Sequence, residues 1–228
     1  IPADTPSVSA WAGILSIPGL TGYFGLRDVG QAKAGETVLV SSAAGPVGAT
    51  AGQIARLMGC RVIGIASGAE RRRWLLEEAG FEAVIDRGGA DTAEAMAARI
   101  AAVAPDGVDI YFDNVGGLLL DAAIANLKPK GRIVVSGQMA DYSSSPEARY
   151  GTRRVYEFIG KRLRMEGLVV FDFADRFDEA TASMTAWIRD GRLKFKEQIE
   201  DGLEALPRLF CAQLRGEIFG RPLARLAT

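Results

Sequence analysis

Val38-Leu39-Val40-Ser41-Ser42-Ala43-Ala44-Gly45-Pro46-Val47-Gly48, running on into residues 49–59, decides how this chain folds. The opening apolar run reads as a buried strand, the serines and alanines as a tight turn, and the small residues that follow as the start of a helix. Such a strand–turn–helix turns unpaired backbone N–H groups and the positive end of a helix dipole outward, where a pyrophosphate can sit. The spacing Ala43-x-Gly45-x-x-Gly48 follows the dinucleotide pattern Gly-x-Gly-x-x-Gly, with alanine in the first slot. Gly45 admits phosphates close to the backbone, and Gly48 lets the helix lie near its strand. Pro46 suits the first helical position, where a missing N–H costs nothing. The alternative reading is a plain strand-to-helix turn.

Arg61-Val62-Ile63-Gly64-Ile65-Ala66 is a second strand-like run, followed by Ser67-Gly68-Ala69-Glu70-Arg71-Arg72-Arg73. NAD-binding chains place a carboxylate at the end of this strand, about 20 residues past the glycines, to accept the ribose 2′-OH. Here Ala66, Ser67 and Gly68 stand in that place and three arginines follow. An arginine fork pairs with a phosphate that a carboxylate would repel, so the expected cofactor is NADP. Solvation of a helix start is the competing account of Arg71–Arg73, but cations are poorly placed at that end of a helix dipole.

The remaining composition narrows the chemistry. The 228 residues are 48% hydrophobic and 24% charged with net charge −1, an ordinary globular balance that gives no electrostatic reason to expect nucleic acid or an anionic membrane. No apolar run is long enough to span a bilayer and no signal peptide is visible, and two distant cysteines, Cys60 and Cys211, suit a reducing cytoplasm. Histidine is absent, which removes the commonest zinc ligand and the commonest general base, so no metal site is expected. The chain begins with Ile1, and it is expected to be the latter part of a longer protein.

Strand-like runs recur at 37–42, 61–66, 83–86, 108–113, 132–137 and 167–171. Helical patterns fall between them at 49–59, 70–80 (Trp74, Leu75 and Leu76 inward), 92–103 and 118–127, with others at 153–161, 178–190 and 203–214. This alternation implies an α/β fold of βαβ units and a parallel sheet wound right-handedly. Taken with the dinucleotide turn, the fold expected is a doubly wound Rossmann sheet of order 3-2-1-4-5-6 with helices on both faces. Residues 1–30 are expected to lead into a cofactor domain at 31–190. Residues 191–228 would return toward a substrate domain, with 218–226 as a strand pairing outside the cofactor domain.

Four stretches carry a resemblance to a known family: Ile17-Pro18-Gly19-Leu20-Thr21-Gly22-Tyr23-Phe24-Gly25-Leu26, Ala43–Gly48, Tyr111-Phe112-Asp113-Asn114-Val115-Gly116-Gly117, and Arg164-Met165-Glu166-Gly167-Leu168-Val169-Val170. They resemble the zinc-independent medium-chain dehydrogenase/reductases, in the branch of prostaglandin reductase and the bacterial NADP-dependent 2-alkenal or curcumin reductases. The resemblance covers nearly the whole chain. It implies NADPH-dependent reduction of the carbon–carbon double bond of enals and enones, and a homodimer joined through an edge of the sheet. It places the pyrophosphate on Gly45, Pro46, Val47 and Gly48, the 2′-phosphate on Arg71, and Asn114 near the nicotinamide-side ribose. Ser136, Gly137 and Tyr142 fall in the loop around the nicotinamide, and Leu168, Val169 and Val170 in the segment bordering it. Tyr23 and Tyr142 are the candidate proton donors.

Three departures from that pattern stand out. Arg87 follows Asp86 where the family has tyrosine, and would be a second phosphate contact. Ile218 replaces an asparagine near the C-terminus, which removes an amide contact to the cofactor. The N-terminal substrate domain of the family has no counterpart in these residues. Two other readings remain beside the enal or enone reductase: a quinone oxidoreductase of the same superfamily, and a nucleotide-binding module without activity of its own.

Overall fold

Short runs of Val, Ile and Leu bounded by turns become strands once both of their faces can be covered. The computed structural model describes residues 7–226. In it β1 (Thr37–Val40), β2 (Arg61–Ala66), β3 (Ala83–Asp86), β4 (Val108–Asp113), β5 (Leu127–Val135) and β6 (Arg164–Gly167) form one sheet. Every pairing in it is parallel, and the order is β3-β2-β1-β4-β5-β6, the order expected of a Rossmann sheet.

Alternation along β1 shows how the layers form. Val38 and Val40 face one side with Val62, Ile110, Phe112 and Val134, and Leu39 faces the other with Ile63, Ile65, Tyr111 and Ile133. On the first side lie α1 (Val8–Ala12), α2 (Ile17–Phe24), α3 (Pro46–Leu57) and α4 (Ala69–Glu77), which contributes Trp74 and Leu75. The second side is covered by α5 (Ala93–Val103) and α6 (Gly117–Asn126), through Met96, Ile100, Leu119, Leu120 and Ile124. Beyond β5 the chain forms α7 (Glu157–Lys161) before β6, and then α8 (Phe177–Arg189), which packs Ala180 and Met184 on the first side. A separate two-stranded parallel sheet pairs β7 (Glu197–Asp201) with β8 (Arg221–Arg225), with α9 (Leu206–Leu214) between them in sequence.

Several expectations need correction. The strand expected at 167–171 is instead β6, four residues ending at Gly167. Val170–Arg176 winds as a 3₁₀ segment because Phe173 stacks on Phe24, ring centroids 4.8 Å apart and planes nearly parallel, drawing the chain off the sheet edge. β5 starts at Leu127, earlier than expected; Lys130 adopts a positive φ and the pairing with β4 shifts register before Ile110. Leu76 is 43% exposed, since three consecutive helical residues span too wide an arc to share one face. Only Glu157–Lys161 of the helix expected at 153–161 is α-helical. The expectation for the C-terminal strand needs none: β8 pairs with β7, which lies outside residues 31–190.

Candidate functional site

The carboxyl ends of β1, β4 and β5 converge on Asn114. Its Nδ2 donates to the Ser41 carbonyl at 2.7 Å, its Oδ1 accepts from Ser136 Oγ at 2.6 Å, and its backbone N–H donates to Ser41 Oγ at 2.8 Å. Beneath it the buried Asp113 gathers donors on Oδ1: Tyr111 Oη at 2.9 Å, Ser41 Oγ at 3.2 Å, and the N–H groups of Val115 and Gly116 at 3.0 and 2.9 Å. Asp113 Oδ2 is buried without a hydrogen-bond partner among the described residues. Burial holds this carboxyl above the usual carboxylate range, and the bonds from Gly116, Val115, Tyr111 and Ser41 oppose that rise. The Tyr111 hydroxyl is likewise pushed up, by its burial first and then by Asp113. Ser41, Tyr111 and Asp113 were not singled out from the sequence. A serine at the end of a buried strand and an aspartate at the end of its neighbour are the signal that could have found them.

The loop after β5 starts from the same turn. The N–H groups of Ser136 and Gly137 both donate to the Asp113 carbonyl, and that of Met139 donates to the Asn114 carbonyl. A Cβ on Gly137 would stand 3.2 Å from Tyr142 Oη and 3.2 Å from the Asn114 carbonyl oxygen. Glycine there lets the tyrosine hydroxyl reach the Asn114 turn. Tyr142 is 68% exposed, and it borders an open pocket of about 350 Å³ with Gln138, Asp141 and Arg149. Asn114, Ser136, Gly137 and Tyr142 are thus brought together.

Tyr23 is placed elsewhere. It is fully buried, its hydroxyl donates to Glu179 Oε1 at 3.0 Å and accepts from Arg27, and its ring packs on Phe24 and Trp187. Its hydroxyl is committed to the junction of α2 and α8. The Leu168 N–H donates to the Val135 carbonyl at 3.0 Å. Leu168 is half-buried, Val169 is exposed and Val170 is buried, so this segment borders the end of β5 as a loop rather than a strand.

At the glycine turn, Ser42 adopts a positive φ and Gly45 caps α3 with no side-chain bond to the first turn. The N–H groups of Val47 and Gly48 there have no intrahelical carbonyl to meet. A Cβ on Gly48 would lie 2.4 Å from the Ser42 carbonyl oxygen, and one on Gly45 would lie 3.2 Å from Ser42 O and Oγ. A small cavity of about 20 Å³ lies against Ala44, Gly45 and Pro46, walled by Trp74, Lys194, Lys196, Glu197 and Arg221. Trp74 Nε1, Arg221 Nε and Glu197 Oε1 are buried without hydrogen-bond partners among the described residues. The cavity itself has room for about one water; the anion-attracting feature here is the uncapped N-terminus of α3, with Lys194 and Arg221 near it.

The end of β2 leads into the arginines singled out from the sequence. Ser67, Gly68 and Arg87 are exposed. Asp86 aligns with Ala66 across the β2–β3 pairing, and Arg72 lies 3.2 Å from its Oδ2. The one carboxylate beside Ala66 in that register is therefore paired with an arginine. Arg71 donates from Nη2 to the carbonyls of Gly216 and Ile218, at 2.6 and 2.9 Å. No group of three His, Cys, Asp or Glu side chains that could hold a metal occurs among the described residues.

Comparison with known proteins agrees with this geometry. The chain is 40% identical over 230 residues to the NADPH-dependent curcumin reductase of Escherichia coli (strain K12), covering 98% of this chain and 65% of that protein. It is 35% identical to the NADP(+)-dependent 2-alkenal reductase of Nicotiana tabacum, again over 98% of this chain and 64% of that one. The crystal structure of CurA in complex with NADPH from Vibrio vulnificus superposes with a TM-score of 0.88 at 38% identity, covering 98% of this chain and 66% of that chain. The chain thus spans just under two thirds of the length of these relatives. A family model described as zinc-binding dehydrogenase matches residues 46–186, more than half of the sequence. With the six-stranded sheet and its glycine turn in place, this chain belongs to that zinc-binding dehydrogenase family, the medium-chain dehydrogenase/reductases that its motifs resemble.

Proposed function

We propose that this chain is the NADP-binding part of a reductase that saturates the carbon–carbon double bond of α,β-unsaturated aldehydes and ketones. The observation that carries the reading is the pairing of two features on one sheet: the uncapped glycine turn at α3, and a β2 end whose register neighbour Asp86 is paired with Arg72 and which is followed by Arg71. The relatives named for curcumin and 2-alkenal reduction supply the substrate class.

The bound cofactor supplies the hydride. The chain's own residues bind and orient it. Val47 and Gly48 offer N–H groups to the pyrophosphate, Arg71 and Arg87 offer guanidinium donors to the 2′-phosphate, and Asn114, clamped by Ser41 and Ser136, presents a fixed edge to the nicotinamide side. Leu168, Val169 and Val170 border that side with apolar surface. Negative charge developing on the substrate carbonyl needs a hydrogen-bond donor in a dry site. Tyr142 is the hydroxyl of this cluster placed to donate to the substrate, and Tyr23 stabilises the α2–α8 junction. We place the second wall of the cleft in the part of the relatives' length that these residues do not span, with residues 191–226 returning toward it. The test is product analysis of a conjugated enal treated with NADPH and the full-length enzyme. A saturated aldehyde supports the reading and an allylic alcohol refutes it.

The same reading covers metal, partner and compartment. A chain without histidine, whose Cys60 is buried with its thiol pushed up to about 11 by burial and by Glu36, works without zinc despite its family's name; one zinc per chain by elemental analysis would contradict this. Strand β6 is an exposed sheet edge with Met165, Val169 and Phe171 uncovered near it, and such an edge is a liability unless paired. We assign it to a homodimer, which sedimentation at micromolar concentration would disprove by showing a monomer. Among the described residues no helix is long and apolar enough to cross a membrane, and the unpaired cysteines suit the cytoplasm. A fluorescent-protein fusion to the full-length enzyme that concentrated at a membrane would contradict that placement.

A further inference from the structure

The C-terminal segment is tied to the rest of the chain through one side chain of α4. Arg71 donates twice from Nη2, to the carbonyl oxygens of Gly216 and Ile218. One turn along the helix, Trp74 meets Phe219 edge-on, ring centroids 5.6 Å apart, and Lys196 Nζ lies 6.0 Å from the Trp74 ring. The chain then enters β8 with the Arg221 N–H donating to the Lys196 carbonyl at 2.9 Å. Residues 216–219 are therefore moored between α4 and β7.

Both carbonyl bonds use a single guanidinium nitrogen. A guanidinium has five N–H donors in one rigid plane, so the Nε–H and both hydrogens of Nη1 remain without a partner among the described residues. Arg71 stands just past Ser67 and Gly68 at the end of β2, where this fold meets the 2′ position of a nucleotide ribose. The same plane that holds the loop on one side thus offers donors to a 2′-phosphate on the other.

We propose that Arg71 couples recognition of the 2′-phosphate to docking of residues 216–219 on α4, so that a 2′-phosphorylated nucleotide tightens the C-terminal segment while its unphosphorylated counterpart does not. This inference rests on the NADP reading above. The rotamer freedom of a long side chain is lost once and serves both contacts, which makes the two events mutually reinforcing. Coupling of this kind is reciprocal: the docked loop strengthens phosphate binding by the same factor that the phosphate strengthens docking. A lysine would keep the charge but not the plane, since its ammonium donors rotate freely on a flexible stem.

The test compares adenosine 2′,5′-bisphosphate with AMP, which differ only in the 2′-phosphate, each at a concentration that titration shows to be saturating. Amide hydrogen exchange is followed in the protein on a peptide spanning residues 212–220. The bisphosphate should slow exchange there roughly 5-fold or more, the lower end of ordinary coupling between sites, and AMP should leave it unchanged. In Arg71→Lys the bisphosphate should still bind by calorimetry but lose the slowing. Binding of the bisphosphate without slowed exchange, or equal slowing in Arg71→Lys, overturns the coupling and leaves the NADP reading standing. Failure of the wild-type protein to bind the bisphosphate overturns both.

Discussion

Ser136 donates its hydroxyl to Asn114 Oδ1 at 2.6 Å, and that bond ties the end of β5 to the turn after β4. Asn114 in turn holds the Ser41 carbonyl beyond β1, so one amide spans three strand ends. Asn114→Ala leaves the buried Ser41 carbonyl unsatisfied and should cost about 1–3 kcal/mol of stability, the price of an unmade buried bond. It should also weaken NADPH binding. Ser136→Ala removes a single donor and should cost only about 0.5–1.5 kcal/mol. Urea unfolding with parallel fluorescence titration checks both, and equal losses for the two variants would show that Asn114 does not hold the centre of the network.

Gly48 seats α3 on the turn after β1. Gly48→Ala would press its Cβ against the Ser42 carbonyl oxygen, 2.4 Å away, and backbone cannot yield as a flexible side chain can. The expected destabilisation is about 1–3 kcal/mol, as for other overpacked sites. The shifted helix start should also lower affinity for the dinucleotide. Thermal unfolding and an NADPH titration measure the two effects, and an alanine variant with unchanged values would show that this close approach is not needed.

Asp113 gives a pH signature. Burial raises its pKa in the folded state, so the folded chain holds that proton more strongly than the unfolded chain does. Its contribution to stability is fully present below the ordinary Asp value of about 3.9 and falls as pH rises through the raised one. Asp113→Asn removes this titration. The stability of the wild type relative to Asp113→Asn should therefore decline with rising pH above about 4, as read from urea midpoints at a series of pH values. A difference that stays flat, or that grows with pH, would contradict the assignment.

The sheet was legible because its signal is local. Runs such as Arg61–Ala66 and Val108–Asp113 are apolar, short and separated by helical periods, which implies a right-handed parallel sheet, and the dinucleotide turn after the first run selects order 3-2-1-4-5-6. The glycine turn was legible for the same reason. What the sequence hid depends on contacts between distant residues. Phe173 stacking on Phe24 unmakes a strand that Leu168–Phe171 would otherwise form, and no pattern within residues 167–171 records it. Tyr23 looks like any exposed hydroxyl in sequence until Glu179 and Arg27 close around it. The carboxylate of Asp86 lies one strand away from where the motif is read, and its pairing with Arg72 appears only when β2 and β3 are side by side. The arginine cluster follows the end of β2 along the chain, but the mooring of Arg71 to Gly216 and Ile218 joins residues far apart in it.

The central claim is the choice of NADP, and it is tested most directly by titrating the protein with NADPH and NADH while following nicotinamide fluorescence. The account predicts clearly tighter binding of NADPH. Arg71→Ala should lose about 1.5–3 kcal/mol of NADPH affinity, the range for a hydrogen bond to a charged group, with NADH binding nearly unchanged. Equal affinities of the wild-type protein for the two nucleotides would contradict it.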